Sequence, residues 1–429
     1  MTSSTQSAAS APRRRVRRAD HHLNVPDQTA LALLDATGRN QLVQAIWWYE
    51  RGVDLDGVRR FVDAFAAGPG NRIIERSRVP GACGRWVRPN AEPCVQLGTT
   101  VRPRAELTAW ADSCASGPVH PVDGPSWRVD VQDFADGSGA VCFTASHVIG
   151  DAFGSFMILR RAIAGVGADP GYDTAGTRGW WTGLVSDLAL VVRSLPATAR
   201  GLFLVARLRW HGARSRTAPA QPAAPPMADD DDIVHIPSVV VRADLDRWNT
   251  RAHERGGNSA TMLMAFTARL AARVGHTRPD GRITLLMPVS VREGPDDLRA
   301  LAFQFGRATL DPASALGEQR SIRDALEDAR VAARSDPGPA TEVLAVLPWL
   351  SRRGIRKFVD RLFAYSDDAP VSLSNLGVLP ADLASIDGSE ADWFIARPID
   401  TNVRRADLRR TNGHLVVVAA AVRATARSR

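Results

Sequence analysis

An imidazole and a carboxylate lie four residues apart, at His147 and Asp151, between a short apolar run and a stretch with helical spacing. Residues 140–145 are apolar, β-branched or aromatic, which predicts a buried strand. From Phe153 onward, apolar residues recur with the period of a helix. A histidine at such a junction is held rigidly and can face a cleft. Because the ordinary pKa of histidine is close to neutral, His147 could take a proton from an alcohol or an amine.

Asp151 has a supporting role in this interpretation. At this spacing its carboxylate can accept backbone hydrogen bonds within the turn, or pair with an arginine from elsewhere in the chain. A His–Asp pair that only caps the following helix is the alternative, and the residues alone leave both open. A hydrolase triad of Ser146, His147 and Asp151 is excluded, because neighbouring side chains on a strand point to opposite faces. A zinc site is not expected, since two residues do not complete one.

The segment Ser146-His147-Val148-Ile149-Gly150-Asp151-Ala152 resembles the His-His-x-x-x-Asp-Gly motif of the condensation-domain superfamily. That superfamily includes chloramphenicol acetyltransferase, nonribosomal-peptide condensation domains, polyketide-associated acyltransferases and the wax ester synthase/diacylglycerol acyltransferases. Its second His, the proposed general base, falls on His147, and its structural Asp falls on Asp151. Ser146 stands where the motif has its first His, and Ala152 where it has Gly.

Three segments of the second half are similar to the wax ester synthase group, in the order expected there. Residues 258–265 resemble the helix that opens the second lobe, and residues 287–292 are similar to a Pro-Val-Ser-Val-Arg segment. Residues 374–377 resemble a Ser-Asn turn. The resemblance spans roughly residues 40–420.

The resemblance implies an α+β fold of two chloramphenicol-acetyltransferase-like lobes, each a mixed sheet with flanking helices, in a V with a tunnel between them. It also implies acyl transfer from a CoA or carrier-protein thioester to an alcohol or amine, with an ester product favoured. His147 would be the base, and Gly150 would belong to its turn. Ser374 and Asn375 are candidate oxyanion donors, with a backbone N–H as the alternative.

Arg292 is the candidate partner of Asp151, and an exposed arginine at a strand end is the alternative. No cofactor or metal is expected, because the thioester of CoA or of a phosphopantetheinyl carrier is a substrate. The departures at Ser146 and Ala152 motivate a competing hypothesis, a catalytically inactive domain that binds a carrier protein or lipid.

Length and composition favour a globular protein with two lobes, since 429 residues suffice for two cores. The formal charge of +8 lies partly in a Ser/Ala-rich head with five arginines, and no aromatic residues interleave the remaining basic ones, so nucleic-acid binding is not expected. The four cysteines lack metal spacing and are expected to be reduced thiols. We expect a monomer in the cytoplasm, because no signal peptide or membrane span is predicted.

The predicted organisation is a disordered basic head (1–24), an N-terminal lobe (25–216), a linker (217–232) and a C-terminal lobe (233–429). The finer predictions are strands at 45–49, 71–77, 85–89, 233–241 and 283–289, a hairpin of 127–131 with 140–145, helices at 54–68, 258–275 and 321–333, a strand that ends in a turn at Ser374–Gly377, and a hairpin around Asn412-Gly413.

Residues 179–212 predict a helix with two tryptophans and several arginines. One hypothesis is a basic amphipathic surface that lies peripherally on a membrane or on an acidic carrier protein. The alternative, which the pattern favours, is a helix packed across the lobes with a solvated arginine face.

Overall fold

The computed structural model describes residues 21–93, 95–214, 232–234, 236–294, 296–317, 319–335, 344, 346–359, 370–403 and 415–422. The predicted linker, except Asp232, and the Asn412-Gly413 turn lie outside these residues. The architecture is α+β, as the sequence predicts, and neither of the two larger sheets in the described chain closes into a barrel.

The helices and strands alternate irregularly along the chain. The helices are α1 Val25–Thr37, α2 Leu55–Ala67, α3 Leu107–Ala115, α4 Ala152–Ile163, α5 Trp180–Arg214, α6 Leu245–Glu254, α7 Ser259–Arg273, α8 Gln319–Ser335 and α9 Arg352–Val359. The strands are β1 Asn40–Tyr49, β2 Ile73–Glu75, β3 Arg85–Val87, β4 Val95–Leu97, β5 Trp127–Asp133, β6 Gly139–Ser146, β7 Ile283–Ser290, β8 Phe303–Leu310, β9 Val371–Leu379, β10 Trp393–Thr401 and β11 Val416–Val422.

Local signals account for the helix ends. Helix α2 begins after Asp54, whose carboxylate accepts two backbone N–H groups of the first turn, and it ends at Gly68. Its Val58, Phe61 and Phe65 are buried, because apolar residues at this spacing form one face of a helix. Helix α7 has a capping box at its start, in which an asparagine and a threonine satisfy each other's backbone N–H.

The first sheet has five strands in the order β10-β1-β6-β5-β4. Strands β5 and β6 form the predicted antiparallel hairpin, and β6 pairs with β1. The far edge strand, β10, comes from the second half and pairs antiparallel with β1, from Asn40 opposite Thr401 to Trp48 opposite Trp393. The predicted division therefore differs here: residues 393–401 complete the first sheet, although the sequence analysis placed them in the C-terminal lobe.

The second sheet has four strands in the order β11-β9-β7-β8. Helices α7 and α8 cover one face, where Met264 and Ile322 pack with Leu285 and Leu373 in a separate core. The parallel strands β7 and β9 pair with each other at two positions, Leu285 with Val371 and Leu286 with Ser372. Beyond these positions β7 remains paired with β8, and β9 with β11. Each of the two larger sheets thus has its own core, consistent with two lobes.

The end of the predicted disordered head is ordered and buried. The N–H of Leu23 donates to Gly84 O at 2.9 Å, and the N–H of Trp86 donates to His21 O at 2.8 Å, so residues 21–24 run along β3. Leu23 is 5% exposed and belongs to the first core. The sequence analysis missed this pairing because four residues are too few to show a periodic pattern. They also directly follow the basic segment.

The predicted strand at 233–241 is wrong over its described residues. Residues 236–241 form no ladder. Two contacts join the segment to β10 and its continuation: the N–H of Val234 donates to Val403 O at 2.8 Å, and the guanidinium of Arg242 lies 3.9 Å from the ring centre of Trp393. Val239, Val240 and Val241 are exposed, and β propensity without a pairing partner does not make a strand.

A buried carboxylate joins the two halves at the start of α1. Asp27 accepts hydrogen bonds from the N–H of Leu301 at 3.0 Å and from Trp86 Nε1 at 3.2 Å. Burial raises the pKa of Asp27 to about 6, although the charge of Arg72 and these hydrogen bonds oppose the shift. Because the pKa of Asp27 is higher in the folded chain than in the unfolded chain, protonation of Asp27 stabilises the folded state. This contribution to stability is present below about pH 4 and is lost as pH rises through about 6.

We expect Asp27→Asn to remove this component of the pH dependence. As pH rises from about 4 to about 6, wild type loses this contribution and the variant does not. The free energy of unfolding of the variant minus that of wild type should therefore increase by about 3 kcal/mol over this range. Urea unfolding across that range measures it, with the exposed substitution Asp63→Asn as the control. Parallel wild-type and Asp27→Asn curves would contradict the assignment.

Candidate active site

His147 opens a single 3₁₀ turn, His147–Ile149, between β6 and α4. The last strand residue, Ser146, caps this turn by accepting the N–H of Val148 at 3.4 Å. The imidazole of His147 is half-buried. Burial lowers the pKa of His147 below its ordinary value, while the charges of Asp151 and Asp400 and a hydrogen bond to its own main chain act in the opposite direction.

These features give the imidazole the protonation state that a base needs. Because the pKa of His147 is lowered, the ring is neutral at neutral pH. A neutral imidazole carries a lone pair on one ring nitrogen, and within the described residues no hydrogen bond joins the ring of His147 to another residue.

Asp151 follows the turn and caps α4. Its Oδ1 accepts the N–H of Gly154 at 2.7 Å, and its Oδ2 accepts the N–H of Ala302 at 2.8 Å and Nη2 of Arg292 at 2.7 Å. Both side chains of the Asp151–Arg292 ion pair are buried, at 9% and 2% exposure. The structure therefore brings together the two residues that the sequence analysis paired, and the exposed-arginine alternative for Arg292 is wrong.

Arg292 is held by the second half as well as by Asp151. Its Nη1 donates to Asp297 O at 2.6 Å and to Arg299 O at 2.8 Å. A Cβ on Gly154 would lie 2.3 Å from Nη2 of Arg292, so the absence of a side chain there leaves room for the guanidinium. The start of α4, directly after the His147 turn, is thereby anchored to the loop after β7.

A second arginine, which the sequence analysis missed, holds the same turn from behind. Arg72 is 1% exposed, and its Nε and Nη2 both donate to Ile149 O, at 3.1 and 2.6 Å. Its Nη1 donates to Tyr172 Oη and to Leu298 O, and its guanidinium stacks on the ring of Trp86. No spacing rule identifies such a residue, because its partners are backbone carbonyls distant in sequence.

The two departures from the motif are accommodated structurally. Ser146 is fully buried, and its hydroxyl caps the turn and contacts Asn40 Oδ1 at 3.5 Å. Ala152 is the first residue of α4. Gly150 has an extended backbone with φ of −175°, and a Cβ there would lie 2.6 Å from the hydroxyl of Ser155. The turn is therefore complete without the first histidine.

Ser374 and Asn375 lie within β9 and do not form a terminal turn, because the strand continues to Leu379. As neighbours on a strand they face opposite sides of the sheet. Val371 and Leu373 pack in the second core, which places Asn375 on the helix-covered side and Ser374 on the other. Asn375 is exposed and its Oδ1 accepts the N–H of Gly377 at 2.9 Å.

The two residues are therefore not equivalent as oxyanion donors. The strand face of Ser374 also carries Leu376, which packs against the first core. Within the described residues no hydrogen bond joins Ser374 or Asn375 to His147. The alternation makes Ser374 the better candidate of the pair, and its role stays a prediction. A polar cavity of about 250 Å³ beside Cys114 and Gln132 does not include the His147 turn.

No protein-family model matches the sequence, and no curated protein is significantly similar to it. The chain is similar to three solved structures, among others. The starter condensation domain of rhizomide synthetase RzmA is 12% identical with a TM-score of 0.45, over 95% of this chain and 88% of that one. TRI101 of F. sporotrichioides, complexed with coenzyme A and T-2, is 11% identical with a TM-score of 0.49, over 91% and 96%.

The third is the first condensation domain of the calcium-dependent antibiotic synthetase in complex with substrate analogue 2a, 14% identical with a TM-score of 0.49, over 89% and 85%. Two of these three solved structures are condensation domains. The expected closeness to wax ester synthases stays a prediction. At these identities, the function of the chain has to be argued from its own residues.

Proposed function

We propose that this protein is an acyltransferase that moves an acyl group from a CoA or carrier-protein thioester to an alcohol or amine, with His147 as general base. One observation carries the proposal: a half-buried imidazole of lowered pKa stands on a turn that two buried arginines lock in place. A neutral imidazole with a free lone pair can accept the proton of a hydroxyl or amine. Rigid positioning of that lone pair is what such a step requires.

The reaction needs no resident cofactor. As His147 accepts the acceptor's proton, the acceptor oxygen or nitrogen attacks the thioester carbonyl and forms a tetrahedral intermediate. Collapse of that intermediate breaks the carbon–sulfur bond, and the imidazolium returns its proton to the departing thiolate. The intermediate carries a negative oxygen, which a hydrogen-bond donor must stabilise. Ser374 is our candidate, with a backbone N–H as the alternative.

The face of the second sheet opposite α7 and α8 carries aromatic side chains that suit an apolar acyl group. Ala308 and Leu310 of β8 pack in the second core, so Phe303 and Phe305 face the other way, with their ring centres 5.2 Å apart. Phe305 is 51% exposed. This face begins beside Ala302, whose N–H binds Asp151, and so it starts next to the His147 turn.

Incubation of the purified chain with acyl-CoAs and a panel of alcohols and amines tests the proposal. We expect thiol release that depends on the acceptor, together with an ester or amide product identified by mass spectrometry. Carrier-bound acyl thioesters should be assayed in parallel, because either donor is compatible with the site. Tight binding of a thioester or carrier without turnover would instead favour the inactive, binding-only function that the departures at Ser146 and Ala152 motivated.

The pH dependence of the reaction follows from the environment of His147. Since only the neutral ring can accept a proton, and burial lowers its pKa, kcat/KM should fall on the acid side with a midpoint below the ordinary value of 6.5. Asp151→Asn removes a negative charge that raises the pKa of His147, so this midpoint should move to still lower pH. A midpoint above 6.5, or a shift upward in Asp151→Asn, would contradict the assignment.

A further inference from the structure

Helix α5 turns a row of large apolar side chains to solvent, and its fully buried positions carry small or polar residues. Gly183, Asp187, Thr198 and Gly201 are buried on one side. The opposite side carries an outer stripe whose members are 47% to 70% exposed: Trp181, Val185, Leu188, Val192, Leu195 and Leu202. A surface helix normally buries its apolar side, so the orientation of α5 is the reverse of the usual one. The exposed Arg193, Arg200 and Arg207 fit both hypotheses for residues 179–212, the basic amphipathic surface and the packed helix with a solvated arginine face.

The helix is attached to the first lobe by its polar side. The carboxylate of Asp187 accepts the hydroxyl of Ser77 at 2.6 Å and Nη1 of Arg178 at 2.8 Å. Asp187 is 4% exposed, so this anchor is buried. Because the anchor lies on the side opposite the outer stripe, it holds that stripe outward. An exposed apolar area of this length marks an interaction surface.

The charges beside the outer stripe have one sign. Arg193, Arg200 and Arg207 recur every seven residues, are exposed, and form no ion pair within the described chain. The helix sequence contains five arginines, and its one acidic residue is the buried Asp187. The partner of this face must therefore offer negative charge next to an apolar region.

That requirement disfavours a second copy of the chain. Two such helices would bring their arginines together without a free carboxylate, and Pro196 interrupts the backbone hydrogen bonds in the middle of the stripe. The stripe from Trp181 to Leu202 is about 30 Å long at the helical rise of 1.5 Å per residue. A lipid bilayer offers an extended surface with anionic headgroups above an apolar interior, which matches this length. Tryptophans such as Trp180 and Trp181 favour the interface of a bilayer.

We propose that the outer stripe of α5 and its row of arginines bind the surface of an anionic lipid bilayer, with the helix axis parallel to the membrane. None of the helices in the described part of the chain has the length and apolarity needed to cross a bilayer, and this mode of binding requires no crossing. The apolar side chains enter the headgroup region, and the arginines pair with lipid phosphates.

Vesicle sedimentation tests the proposal with the full chain. Wild type should sediment with an equal mixture of phosphatidylcholine and phosphatidylglycerol, should not do so with phosphatidylcholine alone, and should be released by salt. Arg193→Gln with Arg200→Gln should weaken partitioning roughly twenty- to thirtyfold at low salt. Val192→Asp with Leu195→Asp should weaken it by at least about tenfold.

The matched control is Val331→Asp, which replaces a valine of α8 that is 55% exposed. This substitution should leave partitioning unchanged. All substitutions are on exposed side chains, and circular dichroism verifies the fold. Equal sedimentation of wild type and the Val192/Leu195 variant would overturn the proposal. Two other results without vesicle binding would also overturn it. One is a wild-type dimer in light scattering that dissociates in the Val192/Leu195 variant, and the other is binding of wild type to an acidic carrier protein.

Discussion

Replacing His147 with alanine is expected to lower kcat for acyl transfer by about two to four orders of magnitude, the usual contribution of a general base. The physical reason is that no other described side chain in the turn can accept the proton. Asp151 is committed to three hydrogen bonds, and the hydroxyl of Ser146 caps the turn. The loss should appear mainly in kcat, with KM for the thioester changed little.

The control for this variant is His253→Ala, which removes an exposed imidazole from α6. It should retain wild-type turnover. The acid limb of the pH profile should disappear in His147→Ala along with most of the rate, since both depend on the same ring. Residual turnover equal to that of wild type would exclude His147 as the base and would leave positioning of the substrates as the only contribution of this turn.

Breaking the Asp151–Arg292 pair is expected to have the largest effect on stability. Arg292→Met should lower the free energy of unfolding by about 3–5 kcal/mol, because it leaves the carboxylate of Asp151 buried without its counter-charge. Combining it with Asp151→Asn should destabilise less than the sum of the two single changes, because the second substitution removes the unpaired charge. Urea unfolding of the four proteins measures this coupling.

A nearby arginine provides the comparison. Arg299 pairs with Asp297 but its side chain is 43% exposed, so Arg299→Met should cost about 1 kcal/mol or less. If both arginine variants lose the same stability, burial does not distinguish the two pairs and the Asp151–Arg292 contact is not a main link between the halves. Loss of turnover in Arg292→Met while the protein is still folded would show that the contact also positions His147.

The proposed membrane binding by α5 is independent of the proposed acyl transfer at His147. Arg193, Arg200, Arg207 and the outer stripe are exposed, and the buried anchor at Asp187 contacts Ser77 and Arg178, outside the His147 turn. Vesicle binding could therefore fail while acyl transfer succeeds, or the reverse. The two proposals are tested by different variants and different measurements.

The local elements around the site could be predicted from the amino-acid sequence. Alternation and apolar runs gave the β5–β6 hairpin, and caps such as Asp54 and Asn258 gave the helix starts, because these features depend on residues within a few positions. The strand–turn–helix frame of His147 followed in the same way. The pairing of Arg292 with Asp151 came from a resemblance, since a contact across 141 residues has no local signature.

Which elements pack against each other depends on the complete fold and could not be predicted from local patterns. Strand β10 joins β1 across more than 300 residues, and Arg72 selects the carbonyl of Ile149, because sheet edges and buried cations are satisfied by whatever the complete fold brings near them. The same holds for α5. Its sequence specifies a helix with an apolar side, whereas the buried contact of Asp187 with Ser77 decides that this side faces outward.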